Sequence, residues 1–298
     1  MPRTIDTITL ANGVAMPLLG LGVYRSSPEE TVTAVSAALT TGYRLIDTAA
    51  AYRNEAEVGK ALHDSAVGRD EVFLVTKLWI SDYGYDEALH GFDRSLKTLG
   101  VDTVDLYLLH QPMPNAWERT VAAWQAVGRL LEEGRARAIG VSNVSPAQLA
   151  DLIDRTGIVP HVNQVELHPF FTQGDLRATH ARLGIATQGW SPIGGVMRYV
   201  TDNPDAAPSP LSHPVITSLA TRHGKTAAQV ILRWHLQHGV CAIPKSVNPR
   251  RIAENFAVFD FALTDAEMAS IDALDTGVRS GPNPDDIDTV KYPFRIED

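Results

Sequence analysis

Leu45-Ile46-Asp47-Thr48-Ala49-Ala50-Ala51-Tyr52 sets a short apolar run directly ahead of an acid, with a tyrosine close behind. Two later stretches end the same way: Phe73-Leu74-Val75-Thr76 stops at Lys77, and Leu106-Tyr107-Leu108-Leu109 stops at His110. A short apolar run bounded by polar residues reads as a buried strand. In a barrel of parallel strands, the carboxyl ends of successive strands converge on one face, however far apart they lie in sequence. On that reading an acid, a phenol, a cation and an imidazole meet.

The pattern repeats outward from there. Strand-like runs at 19–24, 45–47, 72–77, 106–110, 138–143, 162–166, 185–190 and 240–245 alternate with amphipathic stretches at 55–65, 85–99, 117–133, 146–156, 174–183 and 226–238. Ser27-Pro28-Glu29-Glu30 supplies an N-cap, a proline in the first turn and first-turn acids, and starts a helix that runs to about residue 40. A further helix begins near Pro214. Strict alternation over this length predicts an α/β fold, a (β/α)8 TIM barrel forming one domain over residues 1–298. Ahead of it, Thr7 to Leu10, Asn12-Gly13 and Val14 to Met16 predict a β-hairpin, because Asn-Gly readily supplies positive φ angles. Residues 194–214, with Asn203-Pro204 and Pro208-Ser209-Pro210, read as a long loop, and the tail from 277 to 298 as irregular chain. Long loops on the active face of a barrel serve as lids or substrate walls.

Composition narrows the classes of function. The 298 residues are 44% hydrophobic and can bury a large core. A formal charge of -9 argues against general nucleic-acid binding, which needs dense Lys and Arg. No apolar run approaches the ~20 residues of a membrane span. The single cysteine, Cys241, and an N-terminus without a secretory apolar run point to a reducing cytoplasm.

The convergent groups have a coherent chemistry. Lys77 could supply a cation to lower the pKa of Tyr52, and Asp47 could hold Lys77 charged and oriented. Tyr52 would then protonate an oxygen that gains negative charge, with His110 orienting the same oxygen. Each residue also has a plain explanation: a solvated strand-end lysine, a turn-capping aspartate, a hydrogen-bonded core histidine, a surface aromatic. Arg250 and Arg251 could form an ordinary solvated helix face. What favours the joint reading is that all four fall at strand ends or just after one.

The motifs Leu45-Ile46-Asp47-Thr48-Ala49 with Tyr52, Thr76-Lys77-Leu78-Trp79, and Asp105 to Pro112 resemble those of the aldo-keto reductase family of NADPH-dependent carbonyl reductases. The likeness continues through Ile139 to Asn143, Asn163 to Pro169, Trp190 to Gly194 and Ile243 to Phe256, nearly the whole chain. In style it is nearest to bacterial 2,5-diketo-D-gluconate reductases. The resemblance implies a catalytic tetrad of Asp47, Tyr52, Lys77 and His110, with hydride delivered from NADPH to an aldehyde or ketone. It also implies that Ser142, Asn143 and Gln164 bind the nicotinamide carboxamide and that Trp190 stacks on the ring, where many members have tyrosine. Gly22, Val23 and Asp47 would line the cofactor, and Ser191, Pro192, Ile193 and Gly194 would run along its pyrophosphate. Lys245, Ser246, Val247 and Arg251 would hold the 2′-phosphate end, with Glu254 and Asn255 near the adenine. A cation cluster at a helix start suits a phosphate dianion through charge and free N–H groups.

Tyr24, Tyr52, Trp79, His110 and Gln111 are expected to form the substrate site. Gln111 stands where the family usually has tryptophan, so a hydrogen-bonding amide replaces an apolar wall. An open, mixed pocket suits small dicarbonyls or keto sugars. Two other classes compete: an NADPH-binding regulatory protein with little turnover, and a barrel glycosidase pairing Glu166 with Asp47. No metal site is expected, because neither His161 with His168 nor His235 with His238 has a metal-ligand arrangement. Gly20-Leu21-Gly22 lacks the third glycine of a dinucleotide fingerprint. The family likeness implies a monomer.

Overall fold

The computed structural model describes residues 6–195 and 209–297. The predicted hairpin is present: β1 (Thr7–Thr9) pairs antiparallel with β2 (Ala15–Pro17), placing Ile8 opposite Met16. Its turn differs from the expectation, because only Gly13 takes a positive φ, of 84°. Leu10 carries the turn by accepting from Gly13 N at 2.8 Å and donating to Val14 O at 2.9 Å.

Eight parallel strands follow in chain order: β3 (Leu21–Gly22), β4 (Leu45–Asp47), β5 (Phe73–Leu78), β6 (Val104–Leu109), β7 (Ala136–Ser142), β8 (Val162–Glu166), β9 (Ala186–Trp190) and β10 (Cys241–Ala242). Each pairs with the next, and bridges from Leu19 to Ala242 and from Gly22 to Lys245 join the last strand to the first. The ring therefore closes and leaves no free edge. The seam strands are shorter than the predicted runs at 19–24 and 240–245. Pro244 has no N–H to continue the ladder, although its carbonyl still accepts from Gly22 N at 3.2 Å. A Cβ on Gly22 would lie 3.1 Å from Ile243 O, so the small residue lets the seam close.

Helices α1 (Pro28–Thr41), α2 (Glu55–His63), α3 (Tyr85–Leu99), α4 (Trp117–Glu132), α5 (Pro146–Thr156), α6 (Gly174–Leu183), α7 (Pro214–His223) and α8 (Ala227–Gln237) match the expected positions. Ser27 caps α1 in a reciprocal box with Glu30, and Gly42 ends it at φ 121°. Helix α2 stops earlier than expected, since the Ser65 hydroxyl takes Val67 N at 3.0 Å and competes with the helical pattern. Two further helices, α9 (Pro249–Phe256) and α10 (Asp265–Asp272), complete the described set. Of the predicted loop at 194–214, residues 196–208, including Asn203-Pro204 and Pro208, lie outside the described residues.

The hairpin sits at the amino ends of the strands. Asn12 Nδ2 donates to Arg137 O near the start of β7, and Cys241 Sγ, at the start of β10, donates to Pro17 O. Trp124, Trp234, Tyr43, Tyr83 and Phe92 are among the large side chains fully buried in the core. The opposite end, where Asp47, Lys77 and His110 emerge, is the open face.

Candidate active site

Asp47 ends β4 beside Val75, and Lys77 lies two residues further along β5. Lys77 Nζ donates to Asp47 Oδ1 at 2.5 Å and to Thr48 O at 2.8 Å, and reaches Tyr52 OH at 3.4 Å. Both side chains of the ion pair are buried, at 0% and 1% exposure. Tyr52 is carried on a single 3-10 turn, Ala50–Tyr52, which Arg53 closes at φ 56°. Asn54 clamps that turn: its Nδ2 donates to Val23 O at 2.9 Å, and its Oδ1 accepts from Thr48 Oγ1 at 2.8 Å. His110 follows β6 and stands edge-on to Tyr52, with ring centroids 5.4 Å apart, and to Trp79 at 5.2 Å. The four residues are therefore brought together as the sequence implied.

Their electrostatics differ from the expectation in one respect. Burial pushes Asp47 up and Lys77 down, while each partner draws the other back toward its charged form. Tyr52 is held well above 10, first by burial and then by the charges of Asp47 and Tyr24. The lowering expected from Lys77 is outweighed by burial, the largest influence on this phenol. Burial, and then Lys77, hold His110 well below 6.5. At neutral pH the phenol keeps its proton and the imidazole is neutral, so both present N–H or O–H donors. Nδ1 of His110 is buried with no partner among the described residues.

The residues expected around a nicotinamide form a connected set. Ser142 Oγ and Asn143 N both donate to Gln164 O, at 2.7 and 2.9 Å. Asn143, at φ 61°, accepts from Trp190 Nε1 at 2.9 Å and donates through Nδ2 to Gln111 Oε1 at 3.0 Å. The Gln164 amide is already engaged, however: Nε2 donates to Asp47 Oδ2 and to Gln188 Oε1, each at 2.7 Å. Its first duty is to orient Asp47. The chain runs on from Gln188 to Cys241 Sγ at 3.3 Å and from Cys241 to Pro17 O, a polar thread through the barrel.

Beyond Trp190, Ser191 sits at φ 48° and Gly194 at φ 74°, and Pro192 O accepts from His235 Nε2 at 2.9 Å. Gly22 and Val23 are buried in the seam, and Val23 O is taken by Asn54, so neither offers side-chain surface to a ligand. Lys245, Ser246 and Val247 are half-buried between the seam and α9, Arg251 is exposed, Glu254 half-buried and Asn255 buried. Among the described residues no carboxylate pairs with Lys245, Arg250 or Arg251. The first-turn N–H groups are not free, as the sequence reading had them: Asn248 Oδ1 takes those of Arg250 and Arg251. What this corner offers a phosphate is side-chain charge and the Ser246 hydroxyl. An unpaired cation cluster at one end and a half-exposed indole held by its own N–H at the other fit an extended dinucleotide phosphate.

The family model described as the aldo/keto reductase family matches residues 16–276. The chain belongs to that family. Morphine 6-dehydrogenase of Pseudomonas putida is 56% identical over 286 residues, covering 96% of each chain. Methylglyoxal reductase DkgA of Escherichia coli K12 is 48% identical, covering 93% of this chain and 96% of its own. Among solved structures, a mutant of Gox0644 in complex with NADPH superposes with a TM-score of 0.87 at 41% identity, covering 96% of this chain and 100% of its own. No helix among the described residues is long and apolar enough to cross a membrane.

The tail of this aldo-keto reductase holds what sequence reasoning missed. Glu166, at the end of β8, accepts from Ser280 N and Oγ at 2.7 Å each and from Gly281 N at 2.9 Å, with His168 Nε2 at 3.1 Å and Arg279 at 3.4 Å. A carboxylate so fully engaged is a clasp for the tail, which removes it from a glycosidase pair with Asp47. Gly281 lies flush on Trp190; a Cβ there would fall 2.5 Å from the indole. Phe294 stacks on Trp79 at 4.7 Å and Tyr292 meets the same indole edge-on at 6.3 Å, so the tail lines the mouth. Tyr24, 52% exposed, tilts over Tyr52 at 5.0 Å. Only Ser280-Gly281, a small pair able to approach a carboxylate closely, hinted at this in the sequence.

Proposed function

We propose that this aldo-keto reductase reduces aldehydes or ketones to alcohols with NADPH, and that small dicarbonyls or keto sugars are its preferred substrates. The observation that carries the reading is the contact of Tyr52 OH with Lys77 Nζ at 3.4 Å beside the Lys77–Asp47 pair and the His110 ring. The nicotinamide cofactor, when bound, supplies the hydride. Lys245, Ser246 and Arg251 would hold its phosphate end, Ser142 and Trp190 its nicotinamide end, with Asn143 fixing the Trp190 indole and Gln164 supporting Asp47. Tyr52 holds the proton that the carbonyl oxygen receives, and His110 positions that oxygen through a ring N–H. A phenol held above its ordinary pKa does not lose this proton to solvent. It gives it up when the oxygen beside it becomes alkoxide-like, with Lys77 close by to stabilise the phenolate left behind.

Residues 1–298 would work as one domain and a monomer, in a reducing cytoplasm that suits the lone thiol. The test is NADPH oxidation followed by absorbance with a panel of small dicarbonyls, aldehydes and keto sugars. Wild-type protein is expected to oxidise NADPH only when a carbonyl is present. Tyr52→Phe is expected to lose at least ~100-fold in kcat, the scale of general acid catalysis, while NADPH binding stays near wild type. Tight NADPH binding without oxidation across the panel would replace the enzyme with a cofactor sensor.

A further inference from the structure

The hydrogen bonds joining Trp190, Asn143 and Gln111 have a direction, and that direction decides what the mouth offers a substrate. An indole N–H can only donate. Trp190 Nε1 lies 2.9 Å from Asn143 Oδ1, so Asn143 must turn its carbonyl toward the indole and its NH2 away. That NH2 donates to Gln111 Oε1 at 3.0 Å and to Ser142 Oγ at 3.2 Å. Gln111 must in turn give its carbonyl to Asn143, which leaves its own NH2 on the other side. Side-chain amides are normally ambiguous between two flips. Here a donor-only group at one end removes the ambiguity for both amides in line.

Gln111 is also fixed at its backbone. The buried Tyr83 hydroxyl donates to Gln111 O at 2.5 Å and accepts from Gln111 N at 3.2 Å. Among the described residues its Nε2 has no acceptor, one residue along the chain from His110. A pre-oriented donor therefore sits on the residue directly after His110, at the same carboxyl end of β6.

Resting on the reductase reading, we propose that Gln111 determines substrate specificity: its free NH2 binds a second acceptor oxygen on the carbon next to the one reduced. The site then selects α-dicarbonyl and α-hydroxycarbonyl compounds over simple aldehydes and ketones. Trp190 and Asn143 are positioning residues that impose the polarity of Gln111. A tyrosine in place of Trp190 brings a hydroxyl that both donates and accepts, so the polarity is no longer imposed.

The test compares diacetyl with butanone, which differ by one carbonyl oxygen, as the ratio of their kcat/KM values with NADPH. Comparing that ratio between variants and wild type cancels the greater intrinsic reactivity of diacetyl. Gln111→Glu keeps shape and the acceptor for Asn143 but replaces the NH2 with oxygen; Gln111→Leu removes both polar atoms. Each is expected to lower the ratio by about 10-fold or more, mainly through the KM for diacetyl. Trp190→Tyr is expected to lower it by about 3-fold, since the polarity becomes optional. An unchanged ratio in the two Gln111 variants overturns the proposal. A ratio that falls in those variants but holds in Trp190→Tyr overturns the positioning role of Trp190. Wild-type protein that oxidises NADPH with neither ketone, nor with any carbonyl in the panel, brings down the reductase reading instead.

Discussion

Asp47→Asn separates charge from shape at the centre of the barrel mouth. The aspartate receives Lys77 on Oδ1 and Gln164 on Oδ2, and both of its neighbours are buried. Asparagine has one acceptor oxygen in place of two, so either the ammonium or the Gln164 amide loses its partner. A buried donor left without an acceptor costs about 1–3 kcal/mol. Removing the counter-charge of a buried cation costs about 3–5 kcal/mol. The two are not additive, because Lys77 can escape by releasing its proton. Burial already pushes its pKa down, and holding it neutral at pH 7 costs about 1.4 kcal/mol for each unit by which its unfolded pKa of about 10.4 exceeds that pH, which caps the charge penalty at about 4.6 kcal/mol. The expected net loss is therefore about 3–5 kcal/mol, read by urea unfolding at pH 7 with tryptophan fluorescence. Adding Lys77→Met removes the stranded cation, and the double variant should recover about 2 kcal/mol relative to Asp47→Asn alone. The reasoning is refuted if Asp47→Asn loses less than about 1 kcal/mol, or if the double variant is no more stable than the single one.

Three further outcomes are expected. Arg251→Ala should weaken NADPH by about 10-fold while leaving NADH nearly unchanged, since only the former carries the 2′-phosphate; equal losses in equilibrium binding would remove Arg251 from that role. Glu267 takes Thr264 N, then His223 and Arg222, and its carboxyl is pulled from 4.5 to about 2. A lowered folded pKa gives stability that is complete above the unfolded value and disappears as pH falls through about 2. The Tm gap between wild type and Glu267→Gln should therefore be widest near neutrality and close on acidification; a gap that widens in acid contradicts the assignment. Gly281→Ala places a Cβ 2.5 Å from Trp190 and 2.8 Å from Glu166 Oε2, so the tail must lift. Limited proteolysis should then cut near residue 281 faster than in wild type, and an unchanged cleavage rate would show that the clasp absorbs the methyl.

Asp47, Lys77 and His110 were legible because a parallel barrel turns strand ends into neighbours, and each strand ended on a polar residue. Tyr52 was legible only with its motif: it sits on a turn whose shape depends on Asn54, a residue whose partners Val23 and Thr48 come from other segments. Helix α10 was missed although its signal was in plain view, since Thr264 and Glu267 form a capping box of the same kind as Ser27 with Glu30. The tail was not legible, because stacking on Trp79 and binding to Glu166 join residues more than a hundred positions apart. The direction of the Tyr52 shift escapes the sequence for a related reason: a nearby lysine is visible there, but depth of burial is a property of the assembled barrel.

The polar thread that ends at Cys241 gives the protein a built-in gauge of its own opening. The thiol is buried, bonded to Gln188 and Pro17 O, and pushed up to about 12. Alkylating reagents attack the thiolate, so in the closed barrel this cysteine is close to inert. Modification at neutral pH then reports the moments when the seam between first and last strands parts and the hairpin lets go, and its rate follows the population of that opened form when reclosing outpaces the reagent. One mass measurement per time point would follow seam opening in any variant, with no label added and no second thiol to confuse the count.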